Sequence, residues 1–155
     1  MLQAVDPATR PVWDRLVHAY EFEFSLLTGK EPRADGSIAP DTVLGGDVQG
    51  WIWWRMGRPA GLAATIDHND HREVAEFYVV PRWRGFGQGR EQAVALFDTA
   101  PGRWVVKQLA SAVDAQTFWR KCLASLPCQE LSEAEFHDPY WGPVVRQEFR
   151  WPQSG

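Results

Sequence analysis

Apolar side chains recur at three- and four-residue steps through Trp13, Leu16, Val17, Tyr20, Phe24 and Leu27, which places them on one helix face. Pro11 suits the first turn of that helix and Gly29 its C-terminal stop. From Lys30 to Gly50 the periodicity is lost, and Pro32, Gly36, Pro40, Gly45, Gly46 and Gly50 punctuate an irregular connection. Its length makes it a candidate substrate loop or flap. Two apolar runs follow, Trp51 to Met56 and Gly61 to Ile66, separated by Gly57-Arg58-Pro59, and they predict a hairpin. Alternation sets Trp51 and Trp53 on one face of it and Trp54 on the other. The polar turn Asp67-His68-Asn69-Asp70-His71 leads into a third strand, Glu73 to Val80. A glycine-rich turn opens a helix through Ala93, Leu96 and Phe97, closed by Pro101-Gly102. A strand from Arg103 to Leu109 precedes a helix that starts near Ser111 and carries Phe118, Trp119 and Cys122. Ser111 with Asp114 matches a capping box at its start. The stretch Val144 to Trp151 predicts a last strand. The succession is that of one α/β domain over residues 1–155, a mixed sheet with helices packed on it.

Composition narrows the class. At 155 residues, 45% of them apolar, the chain can bury a real core, and disorder and low complexity are excluded. Two cysteines are too few for a disulfide framework and form no metal-ligand doublet. Sixteen basic against twenty acidic residues, a net charge of −4, argue against nucleic-acid binding. The absence of a long apolar run argues against a membrane span, and a soluble cytoplasmic protein is expected. The Asp67–His71 turn offers ligand atoms, but five successive turn residues rarely converge on a metal, so none is expected. Nine tryptophans suggest a well-packed core and, on the hairpin, an aromatic lining against which a cation could sit.

The chemistry concentrates in Glu76-Phe77-Tyr78-Val79-Val80-Pro81-Arg82-Trp83-Arg84-Gly85-Phe86-Gly87-Gln88-Gly89-Arg90. A strand runs into three alternating glycines and directly into a helix. Glycine allows positive φ and a close ligand approach, and the first helical turn leaves N–H groups unpaired. Together they suit a phosphate or pyrophosphate. The dinucleotide fingerprint fails because Arg90 and Gln92 stand where its last glycine is needed, and the Walker loop fails because Arg90-Glu91 follows Gly89. A ligand-free tight turn is the bland alternative.

At these residues the sequence resembles the GNAT superfamily of N-acetyltransferases, whose signature is Arg/Gln-x-x-Gly-x-Gly/Ala after a strand ending Val-x-Pro. Val79-Val80-Pro81 and Arg84-Gly85-Phe86-Gly87-Gln88-Gly89 fit it, and Phe118-Trp119-Arg120-Lys121 looks like the family's later Phe-Tyr-x-Lys helix. The wider pattern is similar to a bacterial branch of predicted acetyltransferases. The resemblance implies a mostly antiparallel central sheet with splayed middle strands and flanking helices, and acetyl-CoA (CoA) as cofactor. It implies that the amides of Arg84, Gly85, Phe86, Gly87, Gln88 and Gly89, with Arg90, hold the pyrophosphate. The backbone at Val79 and Val80 would pair with the pantetheine arm, with Trp119 beside it and Ser111 replacing an Asn found in relatives. The Val79 N–H is the implied oxyanion donor.

Acyl transfer to an amine needs a base, and a buried carboxylate on the strand suits it. Glu76 is preferred because it interrupts an apolar run; Glu73 is the alternative, expected on the opposite face. Many relatives carry a tyrosine acid where this chain has Trp119, and indole is no proton source at neutral pH. Tyr78, Tyr20, Tyr140 or water must then serve. The leading expectation is an N-acetyltransferase acting on a primary amine of a small molecule, peptide or protein, with homodimer formation left open. The alternatives are a CoA-binding sensor without turnover and a protein for another phosphate-bearing ligand.

Overall fold

The computed structural model describes residues 1–154. Its elements are β1 (Leu2–Ala4), α1 (Arg10–Glu23), α2 (Ser25–Thr28), β2 (Val48–Arg55), β3 (Arg58–Asp67), β4 (Arg72–Val79), α3 (Gln88–Asp98), β5 (Gly102–Leu109), α4 (Val113–Ala124), β6 (Gln129–Asp138) and β7 (Gly142–Trp151). The strands form one seven-stranded sheet in the order β1-β2-β3-β4-β5-β7-β6. Every pairing is antiparallel except β4 with β5. This is the mixed, mostly antiparallel sheet with flanking helices expected from the resemblance.

The sheet is covered on both faces. On one, Leu96 and Phe97 of α3 and Trp119, Cys122 and Leu123 of α4 bury Val74, Trp104, Val106, Phe149 and Trp151. Phe97 is the hub, with its ring about 5 Å from Trp104 and Phe149. On the other face, Trp13, Leu16, Val17, Tyr20 and Phe24 pack on Ile52, Leu62, Ala64 and Tyr78, as the helical periodicity requires. The helix does not run unbroken to Leu27: it ends before Phe24, and the single turn of α2 closes on left-handed Gly29 (φ 75°).

Several local expectations are corrected. The hairpin turn is Met56-Gly57, both at positive φ (51° and 74°), the backbone that matches strand twist in a two-residue loop. Arg58 and Pro59 belong to β3, with Pro59 tolerated at a register irregularity opposite Trp54. The capping box does not form, because Ala112 is the cap residue of α4 and makes no side-chain bond. Strands β1 and β6 were not legible in the sequence. Nine of the ten β6 residues are exposed, so no burial periodicity marks this edge strand.

Gly61 shows why α3 lies so close to the sheet. A Cβ there would collide with the Gln92 amide oxygen and stand 2.7 Å from the Tyr78 carbonyl. The buried Gln92 Nε2 donates to the carbonyls of Leu62 (2.9 Å) and Tyr78 (3.3 Å), stitching α3 across β3 and β4. Gly61→Ala is expected to destabilise the fold by ~1–3 kcal/mol through overpacking, read as a lower denaturant midpoint. An unchanged midpoint would contradict this close approach.

Candidate active site

The parallel ladder between β4 and β5 is short. It registers Arg72, Glu73 and Val74 against Trp104, Val105 and Val106, and no pairing follows. Beyond it β4 continues to Val79 and β5 to Leu109 without facing partners, so the sheet opens in the middle. Val80 N–H donates to Ala60 O of β3 (2.9 Å), and strand alternation therefore turns the Val79 N–H away from β3 into the opening. The two valines are not equivalent. Val80 is committed at both groups, since its carbonyl also accepts from Trp83 N–H (2.8 Å), whereas Val79 commits only its carbonyl, to Arg84 Nε (2.9 Å).

At the end of β4 the chain forms a 3₁₀ turn, Pro81–Trp83, and then the glycine turn. Gly85 (φ 82°) and Gly87 (φ 81°) are left-handed, with open space where a Cβ would stand. Gly89 serves a different purpose: it lies inside α3, and a Cβ there would be 2.7 Å from the Phe118 ring of α4. Two glycines therefore shape the turn and the third admits the helix packing. Among the described residues, the N–H groups from Gly85 to Arg90 meet no acceptor at hydrogen-bond geometry, the first bond of the turn being Glu91 N–H to Gly87 O. That is an anion cradle at the positive end of an 11-residue helix. The flanking arginines are partly committed: Arg84 pairs with Glu23 (2.8 Å) and with Val79 O, and Arg90 with Ser125. Arg82 lies over the Trp83 ring. Phe86 is exposed on the rim, and the Gln88 side chain is buried against Ala60 O.

On the α1 side, the opening leads into a cavity of about 140 Å³ lined by Tyr20, Glu21, Asp41, Glu73, Glu76 and Lys107. Glu76 is 8% exposed; its Oε1 accepts from Thr42 Oγ1 (2.8 Å), and the Tyr20 hydroxyl also meets its carboxylate. Burial pushes its pKa up to about 7 against the opposing effect of those hydroxyls, with Glu21 and Asp41 adding like-charge repulsion. Burial, and next to it the Glu76 charge, hold the Tyr20 hydroxyl well above its usual pKa. Oxygens of Glu21, Asp41 and Glu76 lie within 4.8 Å of one another, and Lys30 Nζ supplies a counter-charge at 2.9 Å from Glu21 and 2.7 Å from Asp41.

Glu73 does not lie on the opposite face from Glu76. A register shift opposite Ala64 and Thr65 places an extra residue on β4, which breaks the alternation, and both carboxylates line the cavity. Glu73 is already paired with Lys107 (3.2 Å) and His68 (3.0 Å). Tyr78 is not a lining residue: its hydroxyl donates to Glu23 (3.1 Å), and burial with that neighbour pushes its pKa to about 12. Tyr140 donates to Asp41 from the exposed surface. Trp119 is buried against Phe77, with rings 4.8 Å apart, and lines the cavity. Ser111 sits in the exposed turn before α4, outside the lining, while Ala112 is part of it. The hairpin tryptophans do not line the cavity either; Trp51 and Trp54 pack against opposite cores, whereas Trp141 lines it. The His68 and His71 rings stack on each other and pair with Glu73 and Asp70. The Cys122 thiol is pushed to about 11 by burial, which suits a packing role.

Among the residues of this site that escaped sequence reasoning are Glu21, Lys30, Asp41 and Thr42. One signal was present, since Glu21 falls four residues after Val17, a charge on the apolar face of α1. The others lie on the irregular connection, where no periodicity indicates what a side chain will meet.

No protein-family model and no curated protein matches the chain. Solved structures do. The ribosomal-protein-S18-alanine N-acetyltransferase of Escherichia coli superposes with a TM-score of 0.62 at 14% identity, over 100% of this chain and 96% of its own. The aminoglycoside 6'-N-acetyltransferase of Enterococcus faecium gives 0.64 at 9% identity, over 100% and 99%. A Bacillus subtilis acetyltransferase in complex with CoA gives 0.59 at 10% identity, over 97% and 98%. The chain thus has the fold of the GNAT acetyltransferases. At these identities the likeness is one of fold.

The raised pKa of Glu76 has a consequence for stability. A carboxyl that ionises near pH 7 when folded and near 4.5 when unfolded favours unfolding as pH rises through that window. Glu76→Gln removes the effect, so the variant should gain ~2 kcal/mol over the parent between about pH 5 and pH 8. Chemical denaturation at the two pH values measures it. A pH-independent difference would mean that Glu76 ionises normally.

Proposed function

We propose that this protein is an acetyl-CoA-dependent N-acetyltransferase that moves an acetyl group directly to a primary amine. The observation that carries this reading is a single opening in the sheet with an unpartnered amide cradle at one end and a buried carboxylate of near-neutral pKa within it. The cradle fits a pyrophosphate, and the free edge of β4 fits an amide-bearing arm. Bound there, the cofactor supplies an activated acetyl thioester.

The chain's own residues divide the work. The amides from Gly85 to Arg90 hold the pyrophosphate, and the Val79 N–H, turned into the opening, donates to the oxygen on which negative charge develops. Glu76, ionised above about pH 7, takes a proton from the incoming ammonium, directly or through water. Trp119 offers no proton, Tyr78 lies outside the cavity and Tyr140 is bound to Asp41 at the surface, which leaves the Tyr20 hydroxyl or water to protonate the leaving thiolate. Five carboxylates, Glu21, Asp41, Glu73, Glu76 and Asp138, face two lysines, Lys30 and Lys107, so the acceptor side favours a cation. Two of the three named neighbours act, by name, on a ribosomal protein's alanine and on an aminoglycoside, so the fold does not select the acceptor.

Thiol release from acetyl-CoA over a panel of primary amines tests the proposal. Turnover should rise with pH through about 7, and Glu76→Gln should lower it by about 10²–10⁴-fold with acetyl-CoA affinity unchanged. Binding without turnover on any amine would instead support a CoA-binding domain, and absence of binding would end both readings. Thr42→Val removes a hydrogen bond that favours the ionised carboxylate. Its pH profile should therefore shift towards higher pH, while a shift the other way would exclude Glu76 as the titrating base.

A further inference from the structure

On the far side of the opening, away from the carboxylates, a chain of side chains crosses four elements. Arg120 of α4 holds Glu133 of β6 through Nε (2.9 Å) and Nη2 (3.0 Å). Gln147 Nε2 of β7 donates to Glu133 Oε1 (2.9 Å), and Gln108 Nε2 of β5 donates to Gln147 Oε1 (2.7 Å). The direction of the chain is imposed by chemistry. A guanidinium only donates and a carboxylate only accepts, so Gln147 must present its NH₂ to Glu133 and its oxygen to Gln108. Gln108 must then present its own NH₂, and its carbonyl oxygen is left over.

Among the described residues that oxygen is buried and has no partner; Trp54 Nε1, Gln88 Oε1 and Gln92 Oε1 share that state, but of the four only Gln108 lines the cavity. Gln108 is only 5% exposed and is one of the residues lining the cavity, two positions past Val106, where the β4–β5 ladder ends. A buried acceptor without a donor is costly, and an apolar side chain would avoid the cost. The free acceptor therefore calls for a donor from a ligand. Its surroundings select the kind. Alternation puts Gln108 on the face opposite Lys107 and the carboxylates, beside Val106, Ala112, Ala115 and Trp119. An ammonium would find no counter-charge among those apolar groups, whereas a neutral amide N–H suits them.

We infer that Gln108 is a binding residue for the acyl donor, its Oε1 accepting from an amide N–H of the pantetheine arm, with Arg120, Glu133 and Gln147 as positioning residues that fix the orientation of its amide. This rests on the acetyl-CoA reading above. The experiment is calorimetric titration of parent and Gln108→Met with acetyl-CoA and with adenosine 3',5'-bisphosphate, which lacks the arm. The variant should bind acetyl-CoA about tenfold more weakly, one ordinary hydrogen bond, and the bisphosphate as the parent does. Equal losses on both ligands, or no loss on acetyl-CoA, would overturn the assignment. A second arm needs no variant: CoA analogues in which each pantetheine amide N–H is replaced in turn by an ester oxygen are titrated into the parent. One of them should lose the same tenfold, and parent affinity for both analogues equal to that for CoA would overturn the assignment. Failure of the parent to bind acetyl-CoA at all would remove the underlying reading instead, so the two failures are distinguishable.

Discussion

The interruption of hydrogen bonding between β4 and β5 is the constraint around which the molecule is arranged. Backbone donors and acceptors left unpaired in a sheet interior are costly, and a fold keeps them only where something else is to pair with them. Here the ladder ends at Val74 and Val106, and everything functional lies just past that point. The Val79 N–H, Gln108 and Glu76 all stand along the opened edges. The stability to tolerate the gap comes from the two cores, one on each face, and from the buried Gln92 of α3, which ties β3 to β4.

The opening also sorts chemistry by face. Because β5 alternates, Lys107 and Gln108 point to opposite sides, and the two halves of the cavity differ accordingly. The α1 half is ionic and closed by the irregular segment after α2, which brings Lys30, Asp41 and Thr42 against Glu21 and Glu76. The α4 half is apolar apart from one amide. For the proposed acetyl transfer this separation would serve to bring a charged amine up to a neutral thioester: desolvation raises the Glu76 pKa on one side, and the cavity lining on the other holds no charged group.

Much of this was legible in the sequence, and the parts that were not share a cause. Trp13, Tyr20 and Phe24 announced the covering helix by their spacing, and Gly85 and Gly87 announced the turn by their need for positive φ. Gly89 looked like a third cradle residue because sequence cannot show that its missing Cβ faces Phe118. Glu73 was misplaced because strand alternation holds only without a bulge, and nothing in Glu73-Val74-Ala75-Glu76 declares one. The hairpin tryptophans were assigned to a pocket they do not reach, and β6 was missed because an edge strand exposed on both faces has no burial pattern.

The sequence by itself determined the order of elements, the glycine turn feeding a helix, and a carboxylate set in an apolar strand. These are local properties, governed by φ preferences and by two- and three-to-four-residue periodicities that neighbours in the chain reveal. Only the tertiary structure decided which groups meet. Glu21, Asp41 and Glu76 are separated by 20 to 55 positions yet share one cavity, and the Gln108 carbonyl is orphaned only because three distant side chains fix the direction of its amide. Contacts of that range depend on packing and strand register, which no local pattern encodes.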